Sequence, residues 1–141
     1  MLSTVSKFLD KPDFGFLIIR VIVGVIFVAA GIGKFLGGSE TLEGVGQAMS
    51  IVGISFAPLF WGFLAALVET VGGLLLIVGF LFRGSAFFLL GTMIVATAVK
   101  VSTGDDFVKD IGYPLAMAAV TAGLLFTGPG KIAIQKSGGA V

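Results

Sequence analysis

Four long apolar stretches divide the chain, and each is long enough, or nearly long enough, to cross a lipid bilayer. The hydrocarbon core of a membrane is about 30 Å thick and an α-helix rises about 1.5 Å per residue, so a spanning helix needs about 20 apolar residues. The stretches cover residues 14–35, 58–82, 85–101 and 111–127. The last two are short and would fit best in a thin or locally compressed bilayer. We therefore predict four membrane-spanning helices, with the bilayer as the main partner of the chain.

These stretches favour helices over the strands of a membrane barrel. Barrel strands are segments of about ten residues in which apolar and polar positions alternate. Here the apolar runs are continuous and about twice that length. The predicted fold class is therefore all-α, as an integral membrane four-helix bundle. No linker or long-period repeat interrupts the sequence, so residues 1–141 are predicted to form a single domain.

The longest connection between the predicted spans, residues 36–57, leaves two interpretations open. Some of its apolar residues recur at helical spacing: Leu42, Val45, Met49 and Val52. This spacing is typical of a short helix that lies on the membrane surface. Gly44 and Gly46 weaken that interpretation, and an irregular loop packed over the bundle fits the same residues equally well.

The distribution of basic residues predicts the orientation in the membrane. Cytoplasmic loops of membrane proteins carry more Lys and Arg than the loops on the other side. The side that holds both termini carries five such residues, which are Lys7, Lys11, Arg83, Lys131 and Lys136. The opposite side carries three, which are Lys34, Lys100 and Lys109. Both termini are therefore predicted to lie in the cytoplasm.

The composition agrees with a membrane location and excludes several kinds of chemistry. Of the 141 residues, 57% are hydrophobic and 12% are charged, which is about half the charged share of a soluble domain. The net charge of +1 gives no reason to expect nucleic-acid binding. The chain has no Cys and no His, which excludes disulfides, iron–sulfur and zinc ligation, and His-dependent catalysis. We therefore predict no metal site and no catalytic residue.

Two charged residues lie inside the predicted spans: Arg20 in the first and Glu69 in the second. A charge at mid-membrane costs about 2.5–3.5 kcal/mol on insertion scales, so such residues normally face the bundle interior and pair with one another. Both residues lie on helix stripes rich in Gly and Ala, which suit close helix contact. Their depths differ by about 10 Å, within reach of two long side chains. We predict an Arg20–Glu69 ion pair, with Lys34 as the less favoured partner of Glu69.

The role of this pair stays open from the sequence. It could simply fix the register of the two helices. Alternatively, Glu69 in a low-dielectric site could be neutral, and could then carry a proton or hydrogen-bond the polar head of a ligand. A second charged cluster lies at the end of the bundle away from the termini, and contains Lys34, Lys100, Asp105, Asp106 and Lys109. We expect this cluster to be a solvated face of the protein. The more specific alternative is that it forms a rim that binds an anion.

Several glycine-containing segments run through most of the chain: Ile19-Arg20 with Gly24, Gly31-Ile32-Gly33-Lys34-Phe35, Glu69-Thr70-Val71-Gly72-Gly73, Gly79 with Arg83, and Gly128-Pro129-Gly130-Lys131. Together they resemble the DoxX family of small bacterial membrane proteins. The resemblance implies a four-helix inner-membrane protein associated with quinone-linked or redox-stress oxidoreductase complexes. The chain departs from the family in two places. Gln135 and Lys136 follow the final turn where relatives carry an acidic residue, and the first span ends without the His found in many relatives.

Three classes of function follow from these patterns. The first is a non-catalytic membrane subunit or anchor of an oxidoreductase complex with redox partner proteins. It would line a quinone or lipid-like ligand site, with Arg20 or Lys34 as hydrogen-bond donor between Phe-rich walls. The second is a small transporter or channel in which Glu69 relays a proton or cation, and one four-helix unit would then need to form a homo-oligomer. A scaffold without a small ligand is third, and an autonomous enzyme is the least favoured class.

Overall fold

The computed structural model describes residues 1–134, and nearly all of its regular structure is helical. The helices are α1 (Leu2–Leu9), α2 (Pro12–Leu36), α3 (Gly38–Gly46), α4 (Pro58–Val78), α5 (Phe82–Ser102) and α6 (Gly112–Thr127). A 3₁₀ helix, Gln47–Val52, follows α3, and a π-helical turn, Phe107–Ile111, runs directly into α6. No strand occurs within residues 1–134. The predicted all-α class is confirmed.

Four helices are long and apolar enough to span a membrane: Pro12–Leu36, Pro58–Val78, Phe82–Ser102 and Phe107–Thr127. The second ends at Val78, four residues before the predicted boundary, because Gly79 adopts a left-handed conformation with φ of 72° that stops the helix. The last two are longer than predicted, at 21 residues each. The turn after Gly79 starts α5 earlier than expected, and the π-helical turn extends the fourth span, so neither span is short.

Glycines bring α2 and α4 into direct backbone contact. A Cβ atom at Gly24 would lie 2.7 Å from the carbonyl oxygen of Gly73, and one at Gly73 would lie 2.6 Å from the carbonyl oxygen of Gly24. One at Gly31 would lie 2.7 Å from the carbonyl oxygen of Ala66. Only glycine fits at such distances, which are shorter than any ordinary carbon–oxygen contact. These contacts fix the register of the two antiparallel helices.

The connection after α2 is helical and packs on α4. A Cβ atom at Gly46 would collide with the carbonyl of Pro58, and one at Gly62 would collide with the carbonyl of Leu42. Leu42 and Gly46 are buried in this contact. Each of the two interpretations of this connection was therefore partly right, because the segment is a helix and it is packed over the bundle. Gly46, which counted against a helix, is the residue that lets α3 approach.

The bundle has two different ends. We call the end where α2 begins and α6 finishes the terminal end, and the opposite one the α3 end. The largest fully buried side chains belong to Phe27, Leu76, Phe82, Leu89 and Thr121. Leu89 packs against Gly72, so this core fills the half of the bundle between the level of Glu69 and the terminal end.

The segment after α6 folds back across the terminal end. The Gly128-Pro129-Gly130 turn ends α6, with φ of 80° at Gly128 and 81° at Gly130. Beyond it, the amide of Lys131 donates to Asp13 Oδ1 at 3.0 Å, and the amide of Ile134 donates to the carbonyl of Val78 at 3.1 Å. Two residues used in the sequence predictions, Gln135 and Lys136, lie outside the described residues.

Candidate functional site

Glu69 is buried in the bundle and pairs with Lys34. The residue is 3% exposed, and its Oε2 lies 2.5 Å from Lys34 Nζ. The contact of Gly31 with the stretch from Ala66 to Thr70 makes this pairing possible, because it places Glu69 about one turn of α2 before Lys34. The long side chain of Lys34 leans toward the N-terminus of its helix and reaches back to the carboxylate. The side chain of Lys34 keeps 24% of its surface accessible, whereas that of Glu69 keeps 4%. The pair is therefore closed on the carboxylate side and partly open on the ammonium side.

Arg20 is equally buried, at 3% exposed, but it has different partners. Its Nη1 donates to the carbonyl of Pro129 at 3.0 Å, and its Nη2 donates to the carbonyl of Ile132. Its guanidinium therefore holds the segment that follows α6. The predicted ion pair between Arg20 and Glu69 is wrong.

The register of α2 and α4 explains why the prediction failed. Gly31 faces the stretch from Ala66 to Thr70, so Glu69 is level with about residue 30 of α2. That is about 6 Å along the helix from Lys34 and about 15 Å from Arg20. The prediction had aligned the start of the first span with residue 82, whereas the structure ends α4 at Val78. Gly79 is the residue level with Arg20, and a Cβ there would lie 2.7 Å from Arg20 Nη1.

We call the half of the bundle between Glu69 and the α3 end the α3 half, and the other half the terminal half. The Lys34–Glu69 pair lines a cavity of about 810 Å³ in the α3 half. All the spanning helices, α3 and the 3₁₀ helix contribute to the wall. Most of the wall is apolar. Besides the pair, the wall contains six side chains with polar groups: Thr41, Trp61, Thr92, Lys100, Asp110 and Tyr113. The cavity reaches from Glu69 to Lys100 and Asp110 at the α3 end.

The five residues of the predicted charged cluster do not act as one group. Lys100 Nζ and Asp105 Oδ2 form an exposed pair at 3.2 Å. Asp106 instead caps the π-helical turn, since its Oδ1 accepts from the amides of Val108 and Lys109. Lys34 points to Glu69 inside the cavity. Docking of an anion at this rim remains a prediction.

Sequence reasoning missed Asp110 and Tyr113 as residues of the site. Both line the cavity together with Glu69. Their spacing of three residues on one helix face was a weak signal that the search for charges inside apolar stretches did not use. Trp61 also lines the cavity, where its ring packs edge-on against Phe60 with centroids 5.2 Å apart.

The cavity is suited to hold the polar head of a largely apolar ligand. Its donors include the ammonium of Lys34, the hydroxyl of Tyr113 and the buried indole nitrogen of Trp61, and its walls offer aliphatic surface. A Lys ammonium has three N–H donors, and Glu69 accepts from one of them. The remaining donors are available to an acceptor oxygen of a ligand.

Comparison with known proteins finds similar small membrane proteins. The sequence model of the DoxX family matches residues 15–102, more than half of the chain. The inner membrane protein YqjF of Escherichia coli (strain K12) is 30% identical, over 88% of this chain and 92% of its own length. The inner membrane protein YphA of the same organism is 28% identical, over 88% of this chain and 94% of its own. The putative oxidoreductase CatD of Bacillus subtilis (strain 168) is 26% identical, over 87% and 86% respectively. No solved structure matches the chain.

Proposed function

The chain is a multi-pass inner membrane protein of the DoxX family, and from this premise we propose that it is a non-catalytic membrane subunit of a redox complex. In this role it holds a quinone or lipid-like ligand in the cavity of the α3 half. The observation that carries the proposal is that cavity, with one buried ion pair in an otherwise mostly apolar wall.

The size and lining of the cavity support a ligand with an apolar ring or chain. Sites for small organic molecules enclose about 300–1,000 Å³ and combine apolar walls with a few polar groups. The volume of about 810 Å³ falls within that range. Aliphatic side chains such as Val68 and Val95 line the wall, and Trp61 adds an aromatic face. These residues fit a quinone ring or the first part of a lipid chain.

The Lys34–Glu69 pair supports recognition of a carbonyl oxygen. The carboxylate of Glu69, 2.5 Å from the ammonium of Lys34, offsets the cost of burying a charge in an apolar site. Lys34 therefore serves as a charged donor beside an apolar ring. Hydrogen bonds from charged donors are about twice as strong as neutral ones. Glu69 acts as a positioning residue in this scheme, because it is closed off behind Lys34.

A redox partner protein is part of the proposal because the chain lacks the two residue types that most often ligate iron–sulfur clusters and haem. It contains neither Cys nor His. A bound quinone would supply a two-electron carrier, and the partner protein would deliver or remove the electrons. The relative CatD carries the name putative oxidoreductase, which agrees with a redox setting for this family. The chain itself would bind the ligand, orient it and exclude lipid from its polar head.

A channel through one chain has less support. On the terminal side of Glu69, the side chains of Phe27, Leu76 and Leu89 are fully buried. A proton or cation that reached Glu69 from the α3 end would meet this packed apolar core. Among the described residues, the arrangement therefore favours a binding site over a transport path.

Quinone binding to the purified protein tests the proposal. Trp61 is the only Trp of the chain and lies in the cavity wall, so its fluorescence reports occupancy. We expect decylubiquinone, added to protein in nanodiscs, to quench this fluorescence with saturation. Substituting both Lys34→Gln and Glu69→Gln keeps a neutral pair but removes the charged donor. Because such a hydrogen bond is worth about 1.5–3 kcal/mol, the affinity should fall at least about tenfold.

A relocated Trp provides the control for quenching by quinone dissolved in the bilayer. In the variant Trp61→Phe with Phe126→Trp, the fluorophore sits on α6 at a position that is 82% exposed toward lipid. Its quenching should rise without saturation. The proposal is contradicted if Trp61 and Trp at position 126 respond alike, or if the neutral pair binds quinone as tightly as the wild type.

A further inference from the structure

The two halves of the bundle differ in the size and the lining of their cavities. Leu89 packs against Gly72, so Glu69 is level with Thr92 of α5, and Trp61 is level with Lys100. The stretch from Glu69 to the α3 end is therefore about 12 Å long. The cavity covers this whole stretch and leaves about a quarter of the Lys34 side chain accessible.

Ionisable side chains line the cavity from the Lys34–Glu69 pair to the α3 end. The helices around it contribute Lys34 from α2, Glu69 from α4, Lys100 from α5, Asp110 from the π-helical turn and Tyr113 from α6. The lining residues of α3 and the 3₁₀ helix carry no charge. The ionisable groups thus extend from the buried pair to the exposed surface at one end of the molecule.

The terminal half has a smaller cavity of about 290 Å³ between α4 and α5, and none of its lining residues is ionisable. Beyond the level of Glu69, the backbones of α2 and α4 touch at Gly24 and Gly73. The side chains of Phe27, Leu76 and Leu89 are fully buried behind that contact. The buried hydroxyl of Thr121 donates to the carbonyls of Met117 and Ala118 in its own helix.

From this asymmetry we propose that the Lys34–Glu69 pair exchanges protons and small polar solutes with a single aqueous phase, the one at the α3 end. A proton that binds the Glu69 carboxylate arrives from that phase, and on release it returns there. The packed terminal half separates the pair from the other phase. This inference adds the side of access to the proposed function, and it rests on that function for the identity of the ligand. The side of access itself can be tested without any quinone.

The absence of Cys from the chain permits a direct labelling test with four matched Thr→Cys variants. Thr92→Cys reports whether the reagent reaches the level of the Lys34–Glu69 pair, and Thr121→Cys reports whether it reaches the packed terminal half. Both hydroxyls donate to carbonyls of their own helices, so the two substitutions remove equivalent interactions. Thr103→Cys, in the exposed loop after α5, marks the α3 end, and Thr4→Cys, exposed in α1, marks the terminal end.

Each variant is treated with a charged, membrane-impermeant methanethiosulfonate in sealed vesicles of either orientation. We expect Thr92→Cys to be labelled only from the face that labels Thr103→Cys, and Thr121→Cys to be labelled from neither. Labelling of position 92 from the Thr4 face, from both faces or from neither face would overturn the sidedness. Labelling of position 121 at the rate of position 92 would also overturn it.

The outcomes for sidedness and for quinone binding can be separated. If position 92 is labelled from one side but Trp61 shows no saturable quenching, the one-sided access is supported and quinone binding is refuted. If quenching saturates but position 92 is labelled from both sides, quinone binding is supported and the one-sided access is refuted. A circular dichroism spectrum unchanged from the wild type shows that each variant has kept its helices.

Discussion

Arg20 and Lys34 lie on the same helix, about four turns apart, and the two ends of the molecule use them differently. At the terminal end, Arg20 is enclosed by two carbonyls of the chain's own final segment. At the α3 end, Lys34 pairs with a carboxylate and keeps part of its surface open to a cavity. A buried cation bound to backbone carbonyls holds a structure together, whereas one that faces a cavity has donors left for a ligand. A basic residue in a span can therefore serve assembly or binding, and its partners decide which.

Removing Lys34 alone should have the largest effect on stability. The variant Lys34→Met would leave Glu69 buried without its partner, and breaking such a pair costs about 3–5 kcal/mol. We expect a large drop in the unfolding temperature, measured in detergent by circular dichroism. The double variant Lys34→Met with Glu69→Leu removes both charges and should regain most of the loss. If the double variant is as unstable as the single one, the pair is not what stabilises this contact.

Replacing Arg20 should have the next largest effect, and at the other end of the molecule. The variant Arg20→Met loses two hydrogen bonds from a charged donor, so we expect a cost of about 2–3 kcal/mol. The segment after α6 should also detach, and trypsin should cleave after Lys131 faster than in the wild type. Quinone quenching at Trp61 should be unchanged. Unchanged cleavage would show that the guanidinium does not hold that segment.

Two glycines of one helix turn give a matched test of the register between α2 and α4. A Cβ at Gly31 would press on the carbonyl of Ala66, whereas one at Gly33 would meet nothing within 4 Å. Gly31→Ala should therefore cost about 1–3 kcal/mol through overpacking. Gly33→Ala should be neutral or stabilise by up to about 1 kcal/mol through helix propensity. Equal effects of the two substitutions on the unfolding temperature would contradict the described packing.

The smallest effect is expected at the mouth of the cavity. Lys100 and Asp105 are 3.2 Å apart, but the Lys100 side chain is 45% exposed. Exposed ion pairs contribute about 0–1 kcal/mol, so Lys100→Gln should leave the unfolding temperature nearly unchanged. If Lys100→Gln lowered the unfolding temperature as much as Lys34→Met, the Lys100–Asp105 pair would be a main source of stability in the α3 half, contrary to this prediction.

Much of the fold could be predicted from the sequence because it depends on local patterns. Apolar runs of sufficient length predicted the four spans, and helical spacing within residues 36–57 indicated α3. The hydrophobic pattern did not reveal the exact end of the second span, because apolar Phe80 and Leu81 follow the glycine that stops the helix. Gly79 was the signal that could have placed the boundary correctly.

The pairing of the buried charges could not be predicted in the same way. It depends on which glycines of α2 and α4 touch, and a shift of one turn changes the partner of Glu69. It also depends on the final segment, whose carbonyls reach Arg20 across more than one hundred residues of sequence. Composition and periodicity carry no information about such a contact. Both charged residues were nevertheless identified as buried, because a charge in an apolar run must turn away from lipid.

The most direct test of the account compares the two buried cations in one ligand-binding measurement. Decylubiquinone is titrated against the fluorescence of Trp61 in the wild type, in Arg20→Gln, and in Lys34→Gln with Glu69→Gln. We predict saturable quenching with equal affinity in the wild type and Arg20→Gln, and an affinity at least about tenfold lower in the neutral pair. An affinity that falls in Arg20→Gln and stays unchanged in the neutral pair would contradict the assignment of the site to the α3 half.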